Sequence, residues 1–279
     1  MMRTGRTLSI SALTGLIAAL LALTQANAGA PTFELGFHIP QGDSVHLEAA
    51  AEAGAGFVVA VFSWRDIEPV EGYWYWDQPE AMLRGAEYYG LRVIARLDRP
   101  PDWALSGSAS VPWRTDAYAR FAAQTAMRYG DRLAGVIIWN EPNLALEWNR
   151  QAPDPAGYAA MLQASYQAVK DAAPDLPVAM AGLAFTQGDG TNAVNDLDYL
   201  RSVYANGGGE YFDALALHPY GFGQPPEADP LALPGWQERV TCVTLLGSVT
   251  ICIGTVERLL ATGELQVADS LLPPPPLVE

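Results

Sequence analysis

A (β/α)8 TIM barrel, incomplete at about six β-α units and followed by an irregular tail, is the fold class this sequence predicts. Three observations carry that expectation. From residue 33 onward, strand-like and helix-like segments alternate. The strand-like segments are nearly unbroken apolar runs, which suits a parallel sheet buried on both faces. Their starts, near 33, 57, 91, 134, 176 and 212, are spaced on average about 36 residues, the length of one β-α unit with its loop. A doubly wound dinucleotide fold would carry a Gly-rich turn after its first strand, and "HIPQGDS" contains no G-x-G-x-x-G.

The elements follow in order. "FELGFHI" opens the series and "SVHLEAAAEAG" is its helix. "FVVAVF" is followed by "PEAMLRGAEYYG", whose proline stands at a helix-starting position. "LRVIARL" precedes the helical "TDAYARFAAQTAMRYG", and "AGVIIWN" precedes "DPAGYAAMLQASYQAVKDAA". "LPVAMAGLAF" precedes "NDLDYLRSVYANGGG", and "FDALALH" closes the series. Several of these helices end in glycine, as a C-terminal cap does.

Past "HPYGFGQPPEADP" the composition changes. At the established spacing a seventh strand would begin at about residue 248 and an eighth at about 284, beyond the last residue given. Instead, "VTCVTLLGSVTICI" reads as two strands joined by a Gly-Ser turn, a hairpin and so the wrong element for a barrel wall. In that register Cys242 and Cys252 point to opposite faces, which argues against a disulfide. The run "PPPP" reads as an unpacked tail. The expected organisation is a signal peptide at 1–28, a barrel domain at 29–226 and an atypical tail at 227–279 replacing the last barrel units. A shifted reading frame or a premature end is the expected origin of that tail. An open barrel leaves its first and sixth strands with unpaired edges, so the chain is expected to aggregate.

Composition bounds the partners. Half of the 279 residues are apolar, enough for a sizeable core. The formal net charge is −15 and the pI about 4.5, which argues against nucleic acid or an anionic membrane surface, since both reward a basic patch. Lys170 is the only lysine, leaving Schiff-base and P-loop chemistry almost no candidates. The stretch "MMRTGRTLSISALTGLIAALLALTQANAGA" has a basic start (Arg3, Arg6), an apolar run and a small-x-small site at Ala26-Asn27-Ala28. It reads as an export signal cleaved near Ala28, so the domain is expected to be secreted or extracytoplasmic; an uncleaved anchor is the competing reading. His38, His46 and His218 lie far apart, and with two cysteines no spacing resembles a zinc site. "GDGTNAVND" misses the EF-hand ligand pattern and reads as a polar surface loop. No metal or cofactor is expected.

Chemistry concentrates at "AGVIIWNEPNL". In a barrel of this type the working residues stand at the C-terminal ends of strands, where Glu141 lies. A carboxylic acid beside a sugar's leaving oxygen can protonate it as the bond breaks, and Asn140 is placed to hydrogen-bond the 2-hydroxyl.

"VIIWNEPNL" resembles the acid/base segment of the clan A retaining glycoside hydrolases, the barrel families that include families 5, 39 and 42. "FSWRDIEPVEGYWYWD" and "LRVIARLDRPPDWA" resemble loops of family 39-like and family 5-like members, and "DALALHPYGFG" resembles their sixth strand. The likeness spans roughly residues 33–226 and lies in the ordered succession of segments. It implies a retaining glycosidase acting on oligo- or polysaccharides, with Glu141 as acid/base and Asn140 orienting substrate. His218 and Tyr220 would line the pocket; a structural histidine is the competing reading for His218. Trp64 and Arg65 fall in the second-strand loop, but the arginine often found inside that strand is absent from "FVVAVF".

Trp64, Trp103, Trp139 and Trp148 could offer flat faces to sugar rings or fill core, and Trp148, in the polar context "EWNRQ", is the best platform candidate. Asp98 and Asp102 are expected to pair with Arg96 or Arg99. A retaining mechanism needs a second carboxyl about 5–5.5 Å from the first. The family places it on a Glu ending strand seven, and Glu257 is the nearest candidate. Two other readings compete: a catalytically silent relative that binds carbohydrate, and a barrel enzyme of non-carbohydrate chemistry.

Overall fold

The computed structural model describes residues 34–40, 44–107 and 111–218. Six strands form one parallel sheet: β1 (Gly36–His38), β2 (Phe57–Ser63), β3 (Arg92–Asp98), β4 (Leu133–Ile138), β5 (Val178–Ala184) and β6 (Ala214–His218). Their order is β1-β2-β3-β4-β5-β6, and the sheet curls into a half-barrel. Each strand overlaps the apolar run that predicts it. Six parallel strands in sequence order, each reached through a helix-bearing crossover, are the first six units of a (β/α)8 architecture.

The helices are α1 (Ser44–Glu52), the single turn α2 (Trp64–Ile67), α3 (Asp77–Tyr88), α4 (Thr115–Tyr129), α5 (Pro155–Ala172) and α6 (Asp196–Ala205). At α5, Asp154 caps the amides of Ala156 and Gly157, with a proline opening the helix. Asn195 caps α6 in the same way. Helix α3 starts two residues before its proline, at Asp77. A proline in the first turn costs nothing there, because those amides have no intrahelical acceptor.

Side-chain alternation along the strands builds two apolar layers. Val58, Ala60, Phe62, Val93, Ala95, Leu97, Val136, Ile138 and Met180 pack against the helices. Val59, Ile94, Ile137, Ala179, Ala214 and Ala216 form a smaller cluster on the concave face. By the same alternation Ser63, Arg96, Asp98 and His218 belong to the concave face, at the C-terminal ends of β2, β3 and β6.

The aromatic residues complete the helix-side layer. Trp64 stacks on Phe121 with centroids 5.6 Å apart, and its Nε1 donates to the buried Glu68 carboxylate at 2.8 Å. Trp148 sits edge-on to Trp139 and Tyr158. Both Trp64 and Trp148 are 0% exposed, which corrects the expectation that they present faces to sugar. The polar neighbours of Trp148 misled. Asn149 and Arg150 turn outward on left-handed backbone just after the 3-10 turn Ala145–Trp148 that drives the indole inward.

Tyr220, Glu257, the expected hairpin with Cys242 and Cys252, and the expected export signal lie outside the described residues. No helix among the described residues is long and apolar enough to cross a membrane.

Candidate active site

The segment after β4 departs from regular strand at two places. Trp139 has φ of 78° and Glu141 has φ of 38°, both in the left-handed region that bulky residues avoid. Strain of this kind persists only where the surroundings fix it. Continued alternation from Ile137 would send Trp139 to the concave face. The turn instead puts its ring into the helix-side layer, against Tyr118 and Trp113, where Nε1 donates to the Glu147 carbonyl at 3.1 Å.

The Glu141 amide donates to the Gly182 carbonyl at 3.0 Å. Two residues on, the buried Asn143 donates to the carbonyls of Ala184 (2.9 Å) and Val194 (3.0 Å) and accepts from the Ala184 amide (2.8 Å). The loop after β4 is thereby fastened to the end of β5 and to the loop beyond it.

This backbone brings Glu141 to His218 on β6. His218 Nδ1 lies 2.8 Å from Glu141 Oε1. The imidazole is almost wholly buried, while the carboxylate keeps 18% of its side-chain surface exposed. The ring lies over Gly182, where an added Cβ would come within 2.4 Å of His218 Cδ2. Only a glycine at 182 lets β5 pass under the imidazole.

Asn140 stands beside Glu141, its side-chain amide hydrogen-bonded to Glu147 while its buried Oδ1 has no partner. The bond is therefore an Nδ2–H donated to the Glu147 carboxylate. Burial raises the Glu147 carboxyl above its ordinary value, the negative charges of Asp98 and Glu141 add to this, and the Asn140 amide opposes it.

Asp98, at the end of β3, accepts from Arg96 Nε at 3.0 Å, and Arg99 Nε lies 3.9 Å from its other oxygen. Both expected arginines thus pair with Asp98. Burial still raises the Asp98 carboxyl, against the pull of Arg96 and Arg99. Val61 of β2 and Arg96 of β3 are register partners.

Three residues that shape this end were not singled out from sequence: Ser63, Asn143 and Glu147. Asn143 and Glu147 follow the N-E-P string closely, and that proximity was the available signal. Chemically, the assembly offers a part-exposed carboxyl that can hold and move a proton, an amide beside it, and a buried ion pair one strand away. Among the described residues no group of three His, Cys, Asp or Glu side chains is placed to hold a metal ion.

No family model and no curated protein matches this chain. Solved structures do. A family 39 glycoside hydrolase from the gut symbiont Bacteroides cellulosilyticus WH2 superposes with a TM-score of 0.56 at 21% identity, over 69% of this chain and 39% of that one. The exo-beta-1,4-mannosidase Op5Man5 from Opitutaceae bacterium strain TAV5 gives 0.55 at 20% identity, over 84% of this chain and 50% of that one. The beta-glycosidase BGL167 gives 0.51 at 19% identity, over 79% and 73%. The fold is that of the TIM-barrel glycoside hydrolases, carried through six units. This chain spans half or less of the length of the first two of these proteins. At these identities the likeness is one of fold, and the chemistry has to come from the site.

Proposed function

We propose that this chain carries the acid/base half of a retaining glycosidase site and acts on neutral glycans outside the cytoplasm. The observation that carries the reading is Glu141 at the C-terminal end of β4, part exposed, flanked by Asn140 and held 2.8 Å from His218 of β6. With Oε1 occupied by the histidine, Oε2 is the oxygen that moves the proton. In the first step Glu141 protonates the glycosidic oxygen as a second carboxylate attacks the anomeric carbon, and the aglycone leaves. In the second, the Glu141 carboxylate takes a proton from water, which attacks the same carbon and releases the nucleophile. Two inversions give net retention. Asn140 holds the sugar's 2-hydroxyl through both steps. Export rests on the basic and apolar stretch ending at Ala26-Asn27-Ala28, and N-terminal sequencing of secreted protein would check it.

The nucleophile in this scheme is Glu257. Among the described residues, Glu147, which feels the charges of Asp98 and Glu141, and Asp98 itself are poor substitutes. Glu147 belongs to the acid/base's own loop, and Asp98 is committed to Arg96. That favours a second reading, a catalytically silent carbohydrate binder.

Both are tested with p-nitrophenyl β-glycosides. Glu141→Gln is expected to lose about 10²–10⁴-fold in hydrolysis while still binding glycoside. Azide should restore turnover and give a β-glycosyl azide. An α-configured product by NMR would overturn the retaining mechanism. Wild-type binding with no turnover at all would select the silent binder.

A further inference from the structure

Of the five buried side-chain polar atoms without a hydrogen-bond partner among the described residues, three are Ser63 Oγ, Asp98 Oδ1 and Asn140 Oδ1. They end three consecutive strands or the turn just beyond: β2, β3 and β4. Ser63 and Asp98 are register partners across β2 and β3, and each residue is 5% exposed. Buried polar atoms in folded proteins are nearly always paired, so a row of exceptions at one end of a sheet calls for an explanation.

The row is rigid. Asp98 Oδ2 is held by Arg96 Nε at 3.0 Å, which fixes the carboxylate and leaves Oδ1 unspent. Arg99 approaches Oδ1 only to 3.9 Å, too far for a hydrogen bond. Ser63 Oγ can both donate and accept, and Asp98 Oδ1 can only accept. A ligand with adjacent hydroxyl groups supplies what both lack.

We propose that Asp98 and Ser63 form a hydroxyl-reading subsite for the sugar ring presented to Glu141, and so decide which sugar the site accepts. Asp98 Oδ1 accepts from one ring hydroxyl and Ser63 Oγ bonds its neighbour, both distinct from the 2-hydroxyl assigned to Asn140. Arg96 is the positioning residue that keeps the carboxylate oriented. This inference rests on the glycosidase reading, since it takes a glycoside as the ligand.

The experiment measures binding by calorimetry in the full chain carrying Glu141→Gln, which slows turnover by about 10²–10⁴-fold. The probes are p-nitrophenyl β-glucoside, β-galactoside, β-mannoside and β-xyloside, then the 3-, 4- and 6-deoxy analogues of whichever binds tightest. With Asp98 and Ser63 intact, one deoxy analogue should bind about 10–100-fold more weakly than its parent. Adding Asp98→Asn or Ser63→Ala should weaken the parent glycoside by a similar factor while leaving that analogue nearly unchanged. Losses that simply add, with every analogue penalised alike in all three proteins, would overturn this subsite and leave the glycosidase reading standing. No binding of any glycoside to a folded protein would overturn both. If Asp98→Asn fails to fold, Ser63→Ala alone decides, because it touches no ion pair.

Discussion

Gly182 and His218 compete for one volume. The ideal Cβ of an alanine at 182 would lie 2.4 Å from His218 Cδ2 and 2.5 Å from Nε2, so the ring must shift from its place beside Glu141. Gly182→Ala is expected to destabilise the fold by about 1–3 kcal/mol, the usual cost of overpacking. In a His218→Ala background the same substitution should cost under about 1 kcal/mol, because the clash is gone. Urea unfolding of the four proteins in that cycle checks it; equal costs in both backgrounds would mean the ring does not lie over β5.

Asp98 offers a second test at this scale. Its carboxyl binds a proton more tightly in the folded protein than at its ordinary value of 3.8. Between 3.8 and the raised folded value the folded state holds more proton than the unfolded chain, so stability falls as pH rises through that window. Asp98→Asn should remove that fall, so the stability difference between variant and wild type should shift in the variant's favour across the window. Glu71 and Glu80, whose carboxyls arginines hold below the ordinary value, slope the other way in both proteins and cancel in the comparison. A difference that moved in the wild type's favour as pH rose would show that the arginines, rather than burial, control Asp98, and a pH-independent one that the two cancel.

At the scale of elements, the strands were legible because each is buried on both faces and reads as a continuous apolar run. The place of Asn140 and Glu141 just past the end of β4 was legible for the same reason: an apolar strand that stops there advertises its end. What was not legible depends on contacts between distant segments. Asn143 works through residues 41 and 51 positions away, Gly182 through a ring on the next strand, and Ser63 through its register partner on β3. Nothing in the local pattern encodes those.

Trp148 failed in the opposite direction, since the local pattern around it pointed to solvent while the indole joins an aromatic layer running from α2 through α4 and β4 to α5. Trp148 touches Trp139 and Tyr158, and the Tyr158 hydroxyl in turn donates to the Ile138 carbonyl and accepts from the Ala181 amide, tying α5 to β4 and β5. Trp148→Ala is expected to cost about 3–5 kcal/mol, and Trp148→Phe clearly less. A sugar platform would behave differently: Trp148→Ala would leave the urea midpoint in place and lower glycoside affinity instead.

For the whole molecule, the decisive feature is that the sheet, as far as the described residues go, has two ends. β2 to β5 each have a strand on both sides, whereas among the described residues β1 pairs only with β2 and β6 only with β5. β1 is also short, and Phe37 is 40% exposed. Edge strands present unpaired amides and carbonyls, and they open at lower free energy than strands held on both sides. Hydrogen exchange followed by mass spectrometry should therefore grade across the sheet. Peptides covering Val93–Leu97 and Val136–Ile138 should exchange slowest, and those covering Gly36–His38 and Ala214–Leu217 at least roughly tenfold faster.

The catalytic reading depends on how that gradient turns out at β6. Glu141 is fixed through β5, but the histidine that holds its Oε1 is supplied by β6. A β6 that opens readily releases His218, and with it the orientation of the Glu141 carboxylate. Self-association measured by sedimentation should then rise with concentration as the free edges find each other. If β6 instead proves as protected as β4, a strand from beyond residue 218 pairs with that edge and the barrel wall continues. A seventh-strand nucleophile such as Glu257 would then have a wall to stand on, and aggregation through open edges would not be expected.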